Sequence, residues 1–203
     1  HTKVKIEATT ATGQAELDLT ADPAGVSYLN LGDENSYNIG QLGYFHSDNS
    51  MRFRVNAAER MRINSAGIVT KPYQPAFSAR ISAYTTQDWG GVHIVPTNVQ
   101  VNTGSHYSTS TGKFTAPVAG TYMFTYYCRM DLLAASYWYI SLMKNGTYMH
   151  RALTDENNTY SNLFIAGVIS MNANDYVQAR TDVSGDSSSS ISDETSFSGH
   201  LIG

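Results

Sequence analysis

The run Thr121-Tyr-Met-Phe-Thr-Tyr-Tyr-Cys-Arg-Met130 sets the tightest limit on what this chain can fold into. Ten residues rich in aromatic and β-branched side chains follow the breakers Pro117 and Gly120, and Phe114-Thr-Ala-Pro117 precedes them. They read as one long strand with a shorter strand before it. Successive strand residues point to opposite faces, so Tyr122, Phe124 and Tyr126 share one face while Met123 and Tyr127 share the other. A strand apolar on both faces needs cover on both, from a second layer on one side and from another layer or another chain on the other.

The rest of the chain agrees with an all-β fold. No segment keeps apolar residues at helical spacing for three turns, and Gly or Ser/Thr/Asn clusters interrupt it about every ten residues. Near the N-terminus the pattern predicts a strand around Leu17 and Leu19, a type I turn at Asp22-Pro-Ala-Gly25 and a strand at Val26 to Leu31. Met51 to Asn56 and Met61 to Asn64 are near copies, with Ala57 to Arg60 read as their connection. Arginines 52, 54, 60 and 62 read as a salt-bridged strand face near Asp48 and Glu59.

Pro72 and Pro75 lack the donor that sheet pairing needs, which places a linker at 71–75 between a β-rich segment at 1–70 and a domain at 76–203. The first segment has few large apolar side chains, so its open edges and apolar face call for partner chains, as in a stalk built by several copies. In the second domain, strands are expected at 76–84, 99–102, 113–117, 121–130, 137–144, 148–153, 163–171, 176–181 and 195–202. Asn145-Gly146 supplies a two-residue hairpin turn. That succession of short strands argues for a sandwich or jelly roll.

Composition narrows the function. Charged residues are 15% of the chain and the formal charge is -4, which excludes a nucleic-acid stripe as the main theme. The longest apolar run, Leu163 to Ile169, is too short to insert in a bilayer. The single cysteine, Cys128, allows no intrachain disulfide and reads as an inert buried thiol. The chain starts at His1, as expected of a processed product, a tag remnant or the C-terminal piece of something longer.

Asn102, Tyr107, Phe114, Gly120, Tyr122, Phe124 and Tyr126, with Leu142-Met-Lys-Asn-Gly146, Asn174-Asp-Tyr-Val177 and the terminal Ser196-Phe-Ser-Gly-His-Leu-Ile-Gly203, resemble the C1q-like domain. The position of that signature's first aromatic holds Pro96. The resemblance implies a jelly roll of the tumour-necrosis-factor type that assembles as a homotrimer. Phe114, Tyr122, Phe124 and Tyr126 would then fill the core. Met123 and Tyr127, with Tyr side chains of the last strands, would meet two further copies at the three-fold axis. Residues 40–70 resemble a segment recurring in tail-fibre and other virion proteins of bacteriophages, notably of cyanobacterial and marine hosts. A virion location and contacts with other tail proteins are implied by that second resemblance.

Candidate chemistry is thin. Asp155-Glu156 and Asp193-Glu194 are sequence neighbours that point apart, unlike the facing carboxylates of a glycosidase, and read as loop acids. Histidines 46, 93, 106, 150 and 200 lack a zinc-site pairing; His106 and His200 are expected to hydrogen-bond in the core or between subunits. No cofactor is expected. The resemblance admits calcium at the trimer head, with Asp131, Asp182 and Asp186 as candidates, although Tyr137 replaces the aspartate of some relatives.

By the family topology the loops at 129–136, 154–162 and 182–194 lie at one end. They carry Asp131, Asn157, Asn158, Tyr160, Asp186 and Ser187, and Trp89 is a further aromatic platform. Short polar side chains beside rings suit sugars, whose hydroxyls want hydrogen bonds and whose C–H faces stack. The expected function is a non-enzymatic homotrimeric phage fibre whose head binds a host surface polysaccharide or lipopolysaccharide. The alternatives are an architectural trimerisation head and a polysaccharide depolymerase.

Overall fold

In the computed structural model of the chain, residues 13–131, 136–155, 159–184 and 189–203 are described. Every regular element among them is a strand. The contacts divide the chain into two units, His1–Pro72 and Tyr73–Gly203.

The first unit is a five-stranded antiparallel sheet in sequential order: β1 (Val26–Leu31), β2 (Gly40–Phe45), β3 (Ser50–Val55), β4 (Ala58–Ile63) and β5 (Val69–Thr70). The expected turn before β1 forms, with the Gly25 amide donating to the Asp22 carbonyl at 2.7 Å. Residues around Leu17 and Leu19 are not a strand, because no neighbouring strand pairs with them. The connection at 57–60 is also shorter than its composition suggests. Asn56 and Ala57 take φ of 53° and 56°, a two-residue hairpin turn of the mirror-image type that matches strand twist, and β4 begins at once. Strands β2 and β5 are the elements the pattern missed; two glycines, Gly40 and Gly43, dilute the signal of the first, and the second has only two residues.

Register sorts this sheet into two unlike faces. Leu29, Leu42, Phe53 and Met61 stand opposite one another across β1 to β4, beside a second row of Tyr44, Met51 and Ile63. The other face carries the directly opposed Arg52 and Arg62. Glu59 accepts from both Nε and Nη2 of Arg62 at 2.7 and 2.8 Å, and Asp48 pairs with Arg52 at 2.5 Å. The arginine face is therefore the expected ion-paired surface.

The second unit has two sheets built from β6 (Ala76–Arg80), β7 (Thr85–Gln87), β8 (Val92–His93), β9 (Asn98–Thr103), β10 (Phe114–Thr115), β11 (Gly120–Asp131), β12 (Tyr137–Lys144), β13 (Thr147–Thr154), β14 (Ser161–Met171), β15 (Tyr176–Ser184), β16 (Ser189–Ile191) and β17 (Ser196–Leu201). One sheet runs β7-β16-β11-β17-β6-β9, with β14 along the other edge of β11. Its partner runs β10-β15-β12-β13, with β8 added to β15. The short strands β7, β8 and β16 escape a sequence reading because two or three residues show no periodicity.

Between the sheets lies an aromatic core. Tyr122, Phe124 and Tyr126 of β11 are all fully buried, as are Phe114, Trp138 and Phe197. Phe77 stacks on Tyr107 and Phe114 with ring centroids 4.7 and 5.0 Å apart. Gly199 makes room for the Phe124 ring, since a Cβ there would fall 2.4 Å from it. The Tyr126 hydroxyl pairs with the Thr181 hydroxyl at 2.6 Å, joining the two sheets through a satisfied polar contact.

The signature positions now have physical roles. Asn102 accepts from the Tyr107 amide at 3.0 Å and donates to the Tyr107 carbonyl at 2.9 Å, closing a loop that turns through Gly104 at φ 78°. Pro96 is buried and its carbonyl takes the Tyr107 hydroxyl at 2.9 Å, so the segment follows a defined path without the signature's first aromatic.

Candidate functional site

Two surfaces of the second unit are candidates, and β11 positions both. Its inward residues hold the strand in the core, so its odd-numbered residues form the outer face. There Met123 lies opposite Val168 and Tyr127 opposite Phe164 on β14. Phe164 and Val168 are 59% and 54% exposed. Large apolar side chains cluster in this way on a surface meant to be covered.

Met123 and Tyr127 thus stand where the sequence reading puts them, on one outward apolar face. The Tyr companions expected from the last strands do not. On β17 the outward residues facing Met123, Thr125 and Tyr127 are His200, Ser198 and Ser196, and Tyr176 belongs to the other sheet. Phe164 and Val168 supply the apolar surface instead. In the sequence they sit within the continuous apolar run Leu163 to Ile169, and only the β11–β14 register shows that they meet Met123 and Tyr127. Thr125 and Ser198 share a 2.6 Å hydrogen bond, satisfying the hydroxyls on this face. His200 is exposed and His106 half-buried, its ring edge-on to Phe114 with centroids 6.4 Å apart.

The second surface is the loop end. Pairings Met130 with Ser161, Asp131 with Ser190, Tyr137 with Ser184 and Trp138 with Thr154 bring the strand ends that flank the three expected loops to one end of the sandwich. The chain enters β6 and leaves β17 at the opposite end, where Ala76 pairs with His200. Tyr160 is 63% exposed there, with the Arg129 guanidinium 5.5 Å from its ring centre. Arg129 also pairs with Glu194 at 2.9 Å, and Asp155 and Asp193 are exposed. Asn157, Asn158, Asp186, Ser187 and Glu156 lie outside the described residues.

Trp89 is a correction. It is 5% exposed and its indole N–H donates to the Ser189 carbonyl at 3.0 Å, so the ring belongs to the core and offers no platform to a ligand. Asp182 is also committed elsewhere, taking the Tyr139 hydroxyl at 2.6 Å and Arg180 Nη2 at 3.1 Å. Asp131 alone of the described calcium candidates keeps a buried oxygen without a hydrogen-bond partner, and burial raises its pKa. Among the described residues no three acidic, His or Cys side chains gather, so these residues do not by themselves fit a hard cation that wants six or more oxygens. Cys128 is buried and burial pushes its thiol up to about 11, which leaves it protonated and unreactive.

Comparison with known proteins gives the same outline. Residues 76–202 match the C1q domain. The chain belongs to the C1q domain family. Its fold is shared by murine APRIL at 11% identity, with 64% of this chain and 99% of that chain aligned at a TM-score of 0.51. The globular domain of zebrafish complement 1qA protein aligns at 19% identity over 64% of this chain and 98% of that chain, with a TM-score of 0.49. No curated protein matches. C1q/TNF-like domains commonly form homotrimers.

Proposed function

We propose that the chain is the trimeric distal part of a virion fibre, in which the C1q head displays glycan-binding loops to a host surface. The observation that carries the trimer is the outward row of Met123, Tyr127, Phe164 and Val168. An apolar face of this kind on a C1q sheet is stabilised by burial against copies of itself, and three copies turn weak single-site affinity into avidity without any new contact. The apolar row of Leu29, Leu42, Phe53 and Met61 supports the same reading for the first unit, a β-stalk whose face is covered by other copies. The likeness of residues 40–70 to phage fibre segments supports the virion setting, with other tail proteins as neighbours.

Binding is the role assigned to the loop end in this reading, supported by the exposed ring of Tyr160. Purified protein should scatter light as a species of three times 22.2 kDa. It should also decorate host cells and block adsorption of the phage. A trimer that does neither leaves the architectural head as the function, and a monomer removes the trimer itself.

A further inference from the structure

A row of polar groups crosses the outer face of the second sheet, away from both surfaces described above. Register places His93 of β8 opposite Arg180 of β15, Arg180 opposite Ser141 of β12, and Ser141 opposite Arg151 of β13. Ile140 and Leu142 face the core, so Ser141 and its row face outward. Ser141 is nevertheless 0% exposed. Its Oγ, Arg180 Nε and His93 Nδ1 are all buried without a hydrogen-bond partner. Buried polar groups are nearly always paired, by protein, ordered water or a ligand, and three orphans in one register row leave polar capacity for a ligand to complete.

The surroundings describe that group. Arg151 lies 3.6 Å from the Tyr148 ring centre and 4.7 Å from that of Tyr139, and no carboxylate among the described residues is within ion-pair distance of it. Arg180 shares Asp182 with the Tyr139 hydroxyl, leaving Nε unused. Gly91, at φ 75°, leaves the seat for Arg180 open, because a Cβ there would fall 2.3 Å from Nη2. Burial, and after it the charge of Arg180, lower the pKa of His93, against a backbone hydrogen bond with Ala179 that raises it. Two guanidinium groups against one carboxylate leave the face cationic. A planar anion matches their forked donors.

We propose that this row is a binding site for a carboxylate carried by an acidic sugar residue. Arg151 donates to the carboxylate as its side chain swings off the Tyr148 ring, which opens the buried Ser141 hydroxyl and Arg180 Nε to the same group, and Tyr148, 38% exposed, flanks the ring. The sugar as carrier rests on the glycan-binding reading above, whereas the anion chemistry stands on the geometry alone.

The test is calorimetric titration of the full chain with sodium glucuronate, with glucose as the uncharged counterpart. Glucuronate is expected to bind one per chain, more weakly as salt is raised, and glucose is expected not to bind. Arg151→Gln should weaken glucuronate binding by about tenfold or more. Ser141→Ala should weaken it several-fold while the melting temperature stays level or rises, since the change removes an unsatisfied hydroxyl. A hydroxyl that is merely tolerated would give the thermal result without the affinity loss. No binding, equal binding of glucose, or affinity untouched by both variants overturns the site. If wild-type and Arg151→Gln proteins decorate host cells equally, the head binds host glycan elsewhere and the role of this site in adsorption falls, while the titration alone decides the anion site. If glucuronate binds as described but cells stay bare, the site stands and the adsorption reading falls.

Discussion

The same substitution at two positions three residues apart should fail in two different ways. Phe124 is 0% exposed and lies within 6.4 Å, ring to ring, of Phe77, Phe114, Tyr122 and Phe197. Losing such a ring costs about 3–5 kcal/mol, and an unpaired carboxylate in its place adds several more. A domain stable by about 5–15 kcal/mol is then at or past its limit, so Phe124→Asp should lose its cooperative thermal transition. Tyr127 points the other way, half-exposed and opposite Phe164. In a separate chain Tyr127→Asp exposes its charge to water and costs about 1 kcal/mol or less. In a trimer it buries three like charges near one axis, which the apolar contact cannot offset. Size-exclusion with light scattering, paired with far-UV dichroism, reads both outcomes: Tyr127→Asp should run at 22.2 kDa with strand content intact. A Tyr127→Asp protein that stays trimeric, or a Phe124→Asp protein that melts like wild type, refutes the assignment of faces.

Ala57 holds φ 56° in a turn that favours glycine, so Ala57→Gly should stabilise the first unit by about 1 kcal/mol, visible as a later urea midpoint for its sheet. Cys128, with its thiol near 11, is roughly 0.1% thiolate at pH 8; a thiol reagent should react slowly with native protein and fully once denaturant is added. Asp48 is lowered from 3.8, chiefly by its hydrogen bond from Ser50, and Glu59 from 4.5 by its bonds from Arg62. Their contribution is therefore present above the ordinary carboxylate values and lost as pH falls through the lowered folded ones. Arg62→Gln should move the acid-unfolding midpoint of the first unit upward, and added salt should shrink that difference.

Strand positions in the second unit were largely legible because alternation and turn chemistry act between neighbours. The limits of β12 coincide with expectation, and Asn145-Gly146 turns with φ of 49° and 80° as that pair prefers. Legibility failed where cover comes from far along the chain. Nothing near Trp89 reveals that it donates to a carbonyl one hundred residues away, or that Phe164 and Val168, not tyrosines of the last strands, complete the face of Met123 and Tyr127.

By itself the sequence settled the all-β class and the two-faced central strand, both properties of spacing and local backbone preference, whereas Asn102 and Tyr107 entered through the C1q resemblance and the loop they close came from the fold. Only the tertiary structure decided which polar groups are satisfied. Tyr126 finds Thr181 across the core, while the Ser141 hydroxyl and the Nε of Arg180, whose Nη2 is held by Asp182, are aligned by strand register without a hydrogen-bond partner. The reason is physical: side-chain direction alternates along the chain, but the neighbour that meets each side chain is set by pairing between strands tens of residues apart.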